Sequence, residues 1–168
     1  MDLTPKIRKA LRLAATLHDG QYRRNSPIPV IIHPFEVAMV VSEYTKDEDI
    51  ISSAFLHDVL EDTQGYSYQK MVDDFGSRVA DIVQSLTDQP LPDLTWDEKH
   101  KKYLENLKNS SDEAVLVCLA DKFANVSHQP LNLDRVWYYQ EIINIAQDRQ
   151  LTKNTKLLDE FKGLLEKK

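Results

Sequence analysis

Apolar residues recur at three- and four-residue spacings along most of this chain, which places them on one face of a series of α-helices. No segment shows the polar–apolar alternation of a half-buried strand, and the sequence has no internal repeat or low-complexity segment. Glycine occurs only four times, which argues against glycine-rich hairpins and phosphate-binding loops. The pattern therefore predicts an all-α fold, a compact bundle of eight or nine helices.

Start and stop signals locate these helices. Thr4 followed by Pro5 starts the first, and Gly20 stops it. Two capping boxes, Thr95 with Glu98 and Ser110 with Glu113, start two later helices. The predicted helices begin at residue 5 and at residue 34, and then cover about 47–60, 67–75, 77–86, 95–107, 110–126, 133–150 and 155–166.

Length and charge narrow the function classes. With 168 residues the chain predicts a single domain over residues 1–168. A net charge of -6 argues against a general binder of nucleic acid or of an anionic membrane, because both need a cationic surface. Cys118 is the single cysteine, and the first residues lead into no apolar signal sequence. We therefore expect a cytoplasmic protein without disulfides or membrane helices, whose oligomeric state the sequence does not decide.

Four residues on three different predicted helices form a candidate metal site: His33, the pair His57 and Asp58, and Asp121. Taken singly, each is more often a core histidine or a helix cap than a ligand. Both aspartates, however, follow apolar stretches, where an uncompensated carboxylate costs several kcal/mol and a divalent cation is one direct compensation. Two imidazoles and two carboxylates suit Mn²⁺ or Fe²⁺, and also Zn²⁺. Without a thiolate, a structural zinc site is the poorer interpretation.

Glu61 and Asp62 follow the His57 and Asp58 pair by one helical turn. If the helix continues, each acid lies four residues after one member of the pair and shares its face. One carboxylate then accepts a proton from a water while the other orients that water. The alternative is a charged helix end in solvent, but two acids at a helix C-terminus oppose the helix dipole.

Other side chains suggest a substrate site. Arg23 and Arg24 form either a phosphate clamp or an ordinary solvated loop. Asn125, one turn after the candidate aspartate ligand, either bonds a ribose hydroxyl or caps its helix. Tyr138 and Tyr139 stack a base in one interpretation and belong to the core in the other.

Five segments together resemble a known family. The resemblance covers about residues 5–150, and the segments occur in the same order as in that family. The motif HDVLEDT is far more specific than a bare HD dipeptide. The segments are LHDGQYRR (17–24), IIHP (31–34), AFLHDVLEDT (54–63), FGSRVADIVQSLTD (75–88) and LADKFANV (119–126). They resemble the HD-domain metal-dependent phosphohydrolases, and more closely the hydrolase domain of RelA/SpoT enzymes. The chain is similar to the stand-alone small alarmone hydrolases, including the metazoan SpoT homologues.

The resemblance implies a specific activity. It implies that one Mn²⁺ is held by the four candidate ligands, while Glu61 and Asp62 activate the attacking water. The implied reaction removes pyrophosphate from the 3′ position of guanosine tetra- or pentaphosphate, leaving GDP or GTP. Arg24 and Asn125 match positions that family members use around the nucleotide.

This sequence departs from the family pattern at two positions. Val30 stands where a tyrosine is usual, and Ser127 stands where an arginine is frequent. Neither is a proposed metal ligand. Two alternatives therefore stay open: hydrolysis of another nucleotide or dinucleotide phosphate, and a non-catalytic nucleotide-binding module.

Overall fold

A computed structural model describes residues 1–88, 91–128, 130–151 and 156–166 of the chain. Within these residues the secondary structure is helical, apart from an isolated bridge between Tyr22 and Pro29. The helices are α1 (Pro5–Leu17), α2 (Ile32–Tyr44), α3 (Glu48–Leu56), α4 (Val59–Asp62), α5 (Tyr68–Phe75), α6 (Ser77–Leu86), α7 (Trp96–Asn109), α8 (Asp112–His128), α9 (Val136–Asp148) and α10 (Lys156–Glu166). The all-α prediction is confirmed. With α3 and α4 taken as one interrupted helix, the described residues form nine, as predicted.

The chain forms two compact units, Met1–Thr87 and Asp88–Lys168, which are described separately. The first unit is built around α3, which packs against α1, α2 and α6. Every residue of α3 from 50 to 56 is buried, as expected for a helix covered on all sides. The single-domain prediction stays a prediction.

Helix α1 confirms its predicted start and core face, but it ends at Leu17, three residues before Gly20. The Thr4 hydroxyl accepts a hydrogen bond from the Ile7 N–H at 3.3 Å, so Thr4 caps the helix start. Ile7, Ala10 and Ala14 are buried, and His18, at the C-terminal cap, is buried with them. The prediction that His18 lies on the buried face is therefore confirmed.

The second helix starts two residues earlier than predicted. Helix α2 begins at Ile32, so His33 lies in its first turn and not at the N-cap. Pro34 is tolerated there because the first N–H groups of a helix have no intrahelical partner, and a missing one removes no bond. His33 is thereby held on helical backbone with its side chain buried.

The predicted third helix is interrupted at two of the candidate metal ligands. Helix α3 ends at Leu56, and α4 starts at Val59, so His57 and Asp58 form the break. The His57 ring nitrogen Nδ1 lies 2.9 Å from the Ala54 carbonyl oxygen. An uninterrupted helix would use that oxygen for the Asp58 N–H, so the side chain competes with the backbone ladder.

In the second unit α9 packs against α7, α8 and α10. The whole of residues 114–121 in α8 is buried, and the free thiol of Cys118 lies within this core as expected. The predicted capping box at the start of α7 is confirmed by both of its hydrogen bonds. At α8, Ser111 and not Ser110 accepts the Ala114 N–H, at 3.2 Å. The Ser110 hydroxyl instead donates to the Leu107 carbonyl at the end of α7.

The last two helices differ slightly from prediction. A short 3-10 turn, Leu133–Arg135, precedes α9. The expected start of α10 at Thr155 falls outside the described residues. Phe161 is buried, whereas Leu164 and Leu165, predicted to face inward, are half-buried. None of the described helices combines the length and apolarity needed to cross a bilayer.

Candidate metal centre

Three of the predicted ligands converge in the first unit. His33 comes from the first turn of α2, while His57 and Asp58 form the break between α3 and α4. One ligand atom from each side chain lies within 4.8 Å of the other two. Both imidazoles are buried, and their ring centroids are 5.2 Å apart. The predicted meeting of these three residues is confirmed by the structure.

The His57 ring has a defined hydrogen-bonding role. A carbonyl oxygen only accepts, so the bond to Ala54 requires the proton on Nδ1. The neutral ring then directs the lone pair of Nε2 toward Asp58, whose Oδ1 lies 3.1 Å away. Two acceptor atoms at this distance repel each other unless a proton on Nε2 or a cation lies between them. A histidine ligand that donates its other N–H to a carbonyl is the usual arrangement at metal sites.

The remaining distances favour the cation. His33 Nε2 lies 4.0 Å from Asp58 Oδ2, so a second imidazole nitrogen approaches the same carboxylate. Ligands about 2.0–2.2 Å from one ion are separated from one another by roughly 3–4 Å. Two imidazoles and a carboxylate, without a thiolate, form a mixed nitrogen and oxygen set for a divalent transition metal. The cluster therefore fits a divalent cation.

Glu61 and Asp62 lie on α4, directly after this cluster. The Asp62 N–H donates to the Asp58 carbonyl at 2.9 Å, so one helical turn links the two aspartates as predicted. The break removes the continuous helix that the prediction assumed between His57 and Glu61. Both acids are exposed. Partial desolvation raises the pKa of the Asp62 carboxyl above its ordinary value, and the negative charge of Asp58 raises it further.

Arg23 and Arg24 belong to the loop between α1 and α2. The Arg23 N–H donates to the Ile28 carbonyl at 2.9 Å, beside the isolated bridge. Arg23 is half-buried, whereas Arg24 is exposed. Both therefore lie in the same unit as the three-residue cluster.

Asp121 lies in the second unit, where α8 provides partners for its carboxylate. Lys122 Nζ is 2.6 Å from Oδ2, and the Asn125 side-chain amide donates to Oδ1 at 2.6 Å. Burial lowers the pKa of Lys122, but Asp121 together with the neighbouring Tyr138, Tyr103 and Cys118 outweighs burial and holds the pKa above its ordinary value. The sequence does not predict the contact of Lys122 with Asp121, because adjacent residues of a helix do not normally face each other.

The two tyrosines of α9 differ in exposure. Tyr138 is 4% exposed, and the rings of Trp96, His100 and Tyr103 contact it. This covered ring has no face for a base, which corrects the substrate-binding interpretation of Tyr138. Tyr139 is half-buried, so a stacking role remains a prediction for Tyr139. His100, expected at the surface, is half-buried because it stacks on Trp96 at 3.6 Å.

Comparisons with known proteins define the family. Residues 10–145 match the family model of the HD domain. The chain therefore belongs to the HD-domain family, as its motifs predicted.

Two relatives of the chain are named for a hydrolase activity. The chain is 30% identical over 162 residues to the guanosine-3′,5′-bis(diphosphate) 3′-pyrophosphohydrolase of Drosophila melanogaster, covering 94% of this chain and 86% of that protein. It is 33% identical over 131 residues to the bifunctional (p)ppGpp synthase/hydrolase SpoT of Escherichia coli (strain K12). That alignment covers 74% of this chain but only 18% of SpoT, so the chain spans less than a fifth of this relative.

Solved structures share the fold. One, described as a metazoan orthologue of SpoT that hydrolyses ppGpp, gives a TM-score of 0.83 at 24% identity over 99% of this chain and 97% of that one. A second, from Listeria monocytogenes, gives a TM-score of 0.65 at 26% identity over 80% and 91% of the two chains. The first likeness, at this identity, is evidence for the fold alone.

Proposed function

We propose that this chain is a divalent-metal-dependent phosphohydrolase that removes pyrophosphate from the 3′ position of guanosine tetra- or pentaphosphate. The observation that carries the proposal is the convergence of His33, His57 and Asp58, with the His57 Nε2 lone pair directed at a carboxylate. The Drosophila relative, aligned over most of both chains, is named for this reaction. GDP or GTP would be the other product.

The proposed ion is Mn²⁺, one per chain, held by these three residues together with Asp121 as the fourth ligand. When bound, such an ion supplies Lewis acidity that lowers the pKa of a water and offsets phosphate charge. The His57 tautomer suits this role because the proton on Nδ1 leaves a lone pair on Nε2. Asp121 is proposed from the family resemblance, and Asn125 would orient its carboxylate.

The chain's own acids would then perform the proton transfer. Glu61 and Asp62 are proposed to accept the proton of the attacking water and to orient that water, since α4 positions both directly after the ligand pair. Arg23 and Arg24 are proposed to bind substrate phosphates, because a guanidinium fork bonds two oxygens at once. Tyr139 is proposed to stack on the base.

Replacing the acids tests this proposal. Glu61→Gln and Asp62→Asn keep side-chain size but remove the basic carboxylate. We expect turnover to fall by about 10²–10⁴-fold, the usual contribution of a positioned acid or base, while metal content stays at the wild-type level. The double variant should lose less than the sum, because both groups act on one water. Asp73→Asn, which removes an exposed carboxylate from α5 of the same unit, is the matched control.

The assay is single-turnover release of pyrophosphate at saturating Mn²⁺. Wild-type rates in both single variants would show that Glu61 and Asp62 form only a charged helix end and do not act on the water. A nucleotide panel in the same assay tests the alternatives. Val30 and Ser127, which depart from the family pattern, favour a different nucleotide or dinucleotide phosphate as the second candidate substrate. Nucleotide binding without hydrolysis of any panel member would identify a binding module. A cytoplasmic location and the absence of nucleic-acid and membrane partners stay predictions.

A further inference from the structure

His18 is a buried histidine to which the proposed reaction assigns no role. It lies at the C-terminal cap of α1 and is 2% exposed. Its Nδ1 lies 2.8 Å from the Gln21 side-chain oxygen Oε1. Its Nε2 is buried and has no hydrogen-bond partner among the described residues. An unsatisfied buried nitrogen is unfavourable, and an apolar side chain would avoid it. The contribution of the ring is therefore made at Nδ1.

Gln21 links this ring to the candidate site. Its amide nitrogen Nε2 donates to the backbone carbonyl of Asp62 at 3.3 Å. Because that carbonyl only accepts, the amide orientation is fixed, and Oε1 is left to accept from His18. The His18 proton must therefore reside on Nδ1. The two hydrogen bonds form a continuous chain from the end of α1 to the end of α4.

The end of α4 needs such a contact. Helix α4 has four residues, too few to be stable by itself. Asp62 is its last residue, and the last carbonyls of a helix have no intrahelical partner. The Gln21 amide supplies a donor to one of these carbonyls. A hydrogen bond from outside the helix thus fixes the backbone that carries the Asp62 side chain.

We propose that His18 and Gln21 are positioning residues for Asp62, which hold the C-terminal end of α4 through the hydrogen-bond chain from His18 Nδ1 to the Asp62 carbonyl. The functional part of this inference rests on the proposed function, whereas its structural part does not. His18 orients the Gln21 amide, and Gln21 holds the backbone of Asp62. Neither residue contacts substrate in this assignment.

Residue-resolved amide hydrogen exchange of the metal-free protein, without substrate, tests the structural part. Gln21→Met has a similar length but no donor, and His18→Leu removes the ring donor. Both should accelerate exchange of the Glu61 and Asp62 amides by about three- to tenfold, as expected for the loss of one hydrogen bond. His18→Asn retains a donor near the position of Nδ1 and should stay within about twofold of wild type.

Gln69→Met is the matched control, because the Gln69 amide donates to Asp73 at 2.9 Å on the exposed face of α5 in the same unit. It should leave the exchange of the α4 amides unchanged. Unchanged exchange in Gln21→Met, or His18→Asn behaving like His18→Leu, would overturn the assignment.

Steady-state kinetics of pyrophosphate release from guanosine tetraphosphate test the functional part. Gln21→Met and His18→Leu should lower kcat by roughly tenfold with little change in KM, and His18→Asn should restore kcat. If kcat stays at the wild-type value while exchange is accelerated, the positioning role is wrong. If the wild-type protein does not hydrolyse this nucleotide, the proposed function fails, and the exchange measurement still decides the structural assignment.

Discussion

Two aspartates, Asp58 in the first unit and Asp121 in the second, have opposite surroundings. The Asp58 carboxylate faces imidazole nitrogens, at 3.1 Å from His57 and 4.0 Å from His33. The Asp121 carboxylate receives an ammonium from Lys122 and an amide from Asn125, both at 2.6 Å. In the first unit two imidazole rings approach the carboxylate, and in the second an ammonium and an amide approach it.

The two aspartates differ in the source of the positive charge that compensates each carboxylate. The Asp58 cluster suits a bound cation, because the His57 proton is used at Ala54 and the Nε2 lone pair faces the carboxylate. Asp121 has a cation from its own helix, so its carboxylate is compensated in the metal-free protein. The account therefore predicts that metal controls the stability of the first cluster, whereas Lys122 controls that of the second.

The largest effect is expected from removing the ammonium beside Asp121. Lys122→Met leaves a carboxylate whose side chain is 9% exposed without that charge. We expect the free energy of unfolding to fall by about 2–4 kcal/mol, slightly below the range for a fully buried pair, since Lys122 is 21% exposed.

Urea unfolding of the metal-free protein measures this loss. Lys108→Met is the matched control, because Lys108 pairs with Glu141 at 3.7 Å on the surface. It should lose at most about 0.5 kcal/mol. Equal losses in the two variants would remove the contrast between the aspartates.

The second prediction concerns the other aspartate. Mn²⁺ at about 100 times its dissociation constant should stabilise the wild-type protein by about 2.7 kcal/mol, because it binds only the folded state. Asp58→Asn should abolish this gain, since it removes a ligand. Asp73→Asn, an exposed change in the same unit, should retain it. Thermal unfolding with and without Mn²⁺ provides the measurement, and an undiminished gain in Asp58→Asn would refute the assignment of that ligand.

Sequence periodicity predicted most helices, and residue types predicted that His33, His57 and Asp58 meet, but neither predicted the detail that shapes the site. The break at His57 depends on a ring nitrogen reaching the Ala54 carbonyl, and apolar spacing carries no information about that contact. The shift from Ser110 to Ser111 has a similar origin, since both serines are favourable N-cap residues. Local patterns fix helices well and fix side-chain hydrogen bonds poorly.

The pairing of Lys122 with Asp121 could not be predicted from the sequence pattern. Neighbouring residues on a helix point in different directions, so nothing in their spacing predicts contact. The lysine side chain is long enough to reach the Asp121 carboxylate despite this difference in direction. Its Nζ also lies 5.7 Å from the centre of the Tyr103 ring. Likewise, the link between Gln21 and Asp62 joins residues that are 41 positions apart.

The smallest effect is a pH response confined to the second unit. Burial lowers the pKa of His100, and its hydrogen bond to the Trp96 carbonyl only partly opposes this. A depressed pKa means that the folded state binds the proton less readily than the unfolded state. The stability it supports is therefore present above the ordinary histidine pKa and is lost as the pH falls through it.

His100→Phe keeps a ring against Trp96 but removes the titration. Between about pH 7.5 and 5.5, spanning the ordinary pKa near 6.5, the Tm of the wild type should fall about 1–2 °C more than that of the variant. Thermal unfolding of metal-free protein at the two pH values measures this difference. Parallel pH profiles would show that His100 makes no such contribution.

The central claim is that His57 and Asp58 hold a divalent cation, and the metal content of dialysed, Mn²⁺-loaded protein tests it most directly. Elemental analysis should find about one ion per wild-type chain and essentially none in His57→Ala. Asp121→Ala should lose the ion as well if Asp121 is the fourth ligand, and His100→Ala should retain it. One tightly bound ion per chain in His57→Ala would contradict the account.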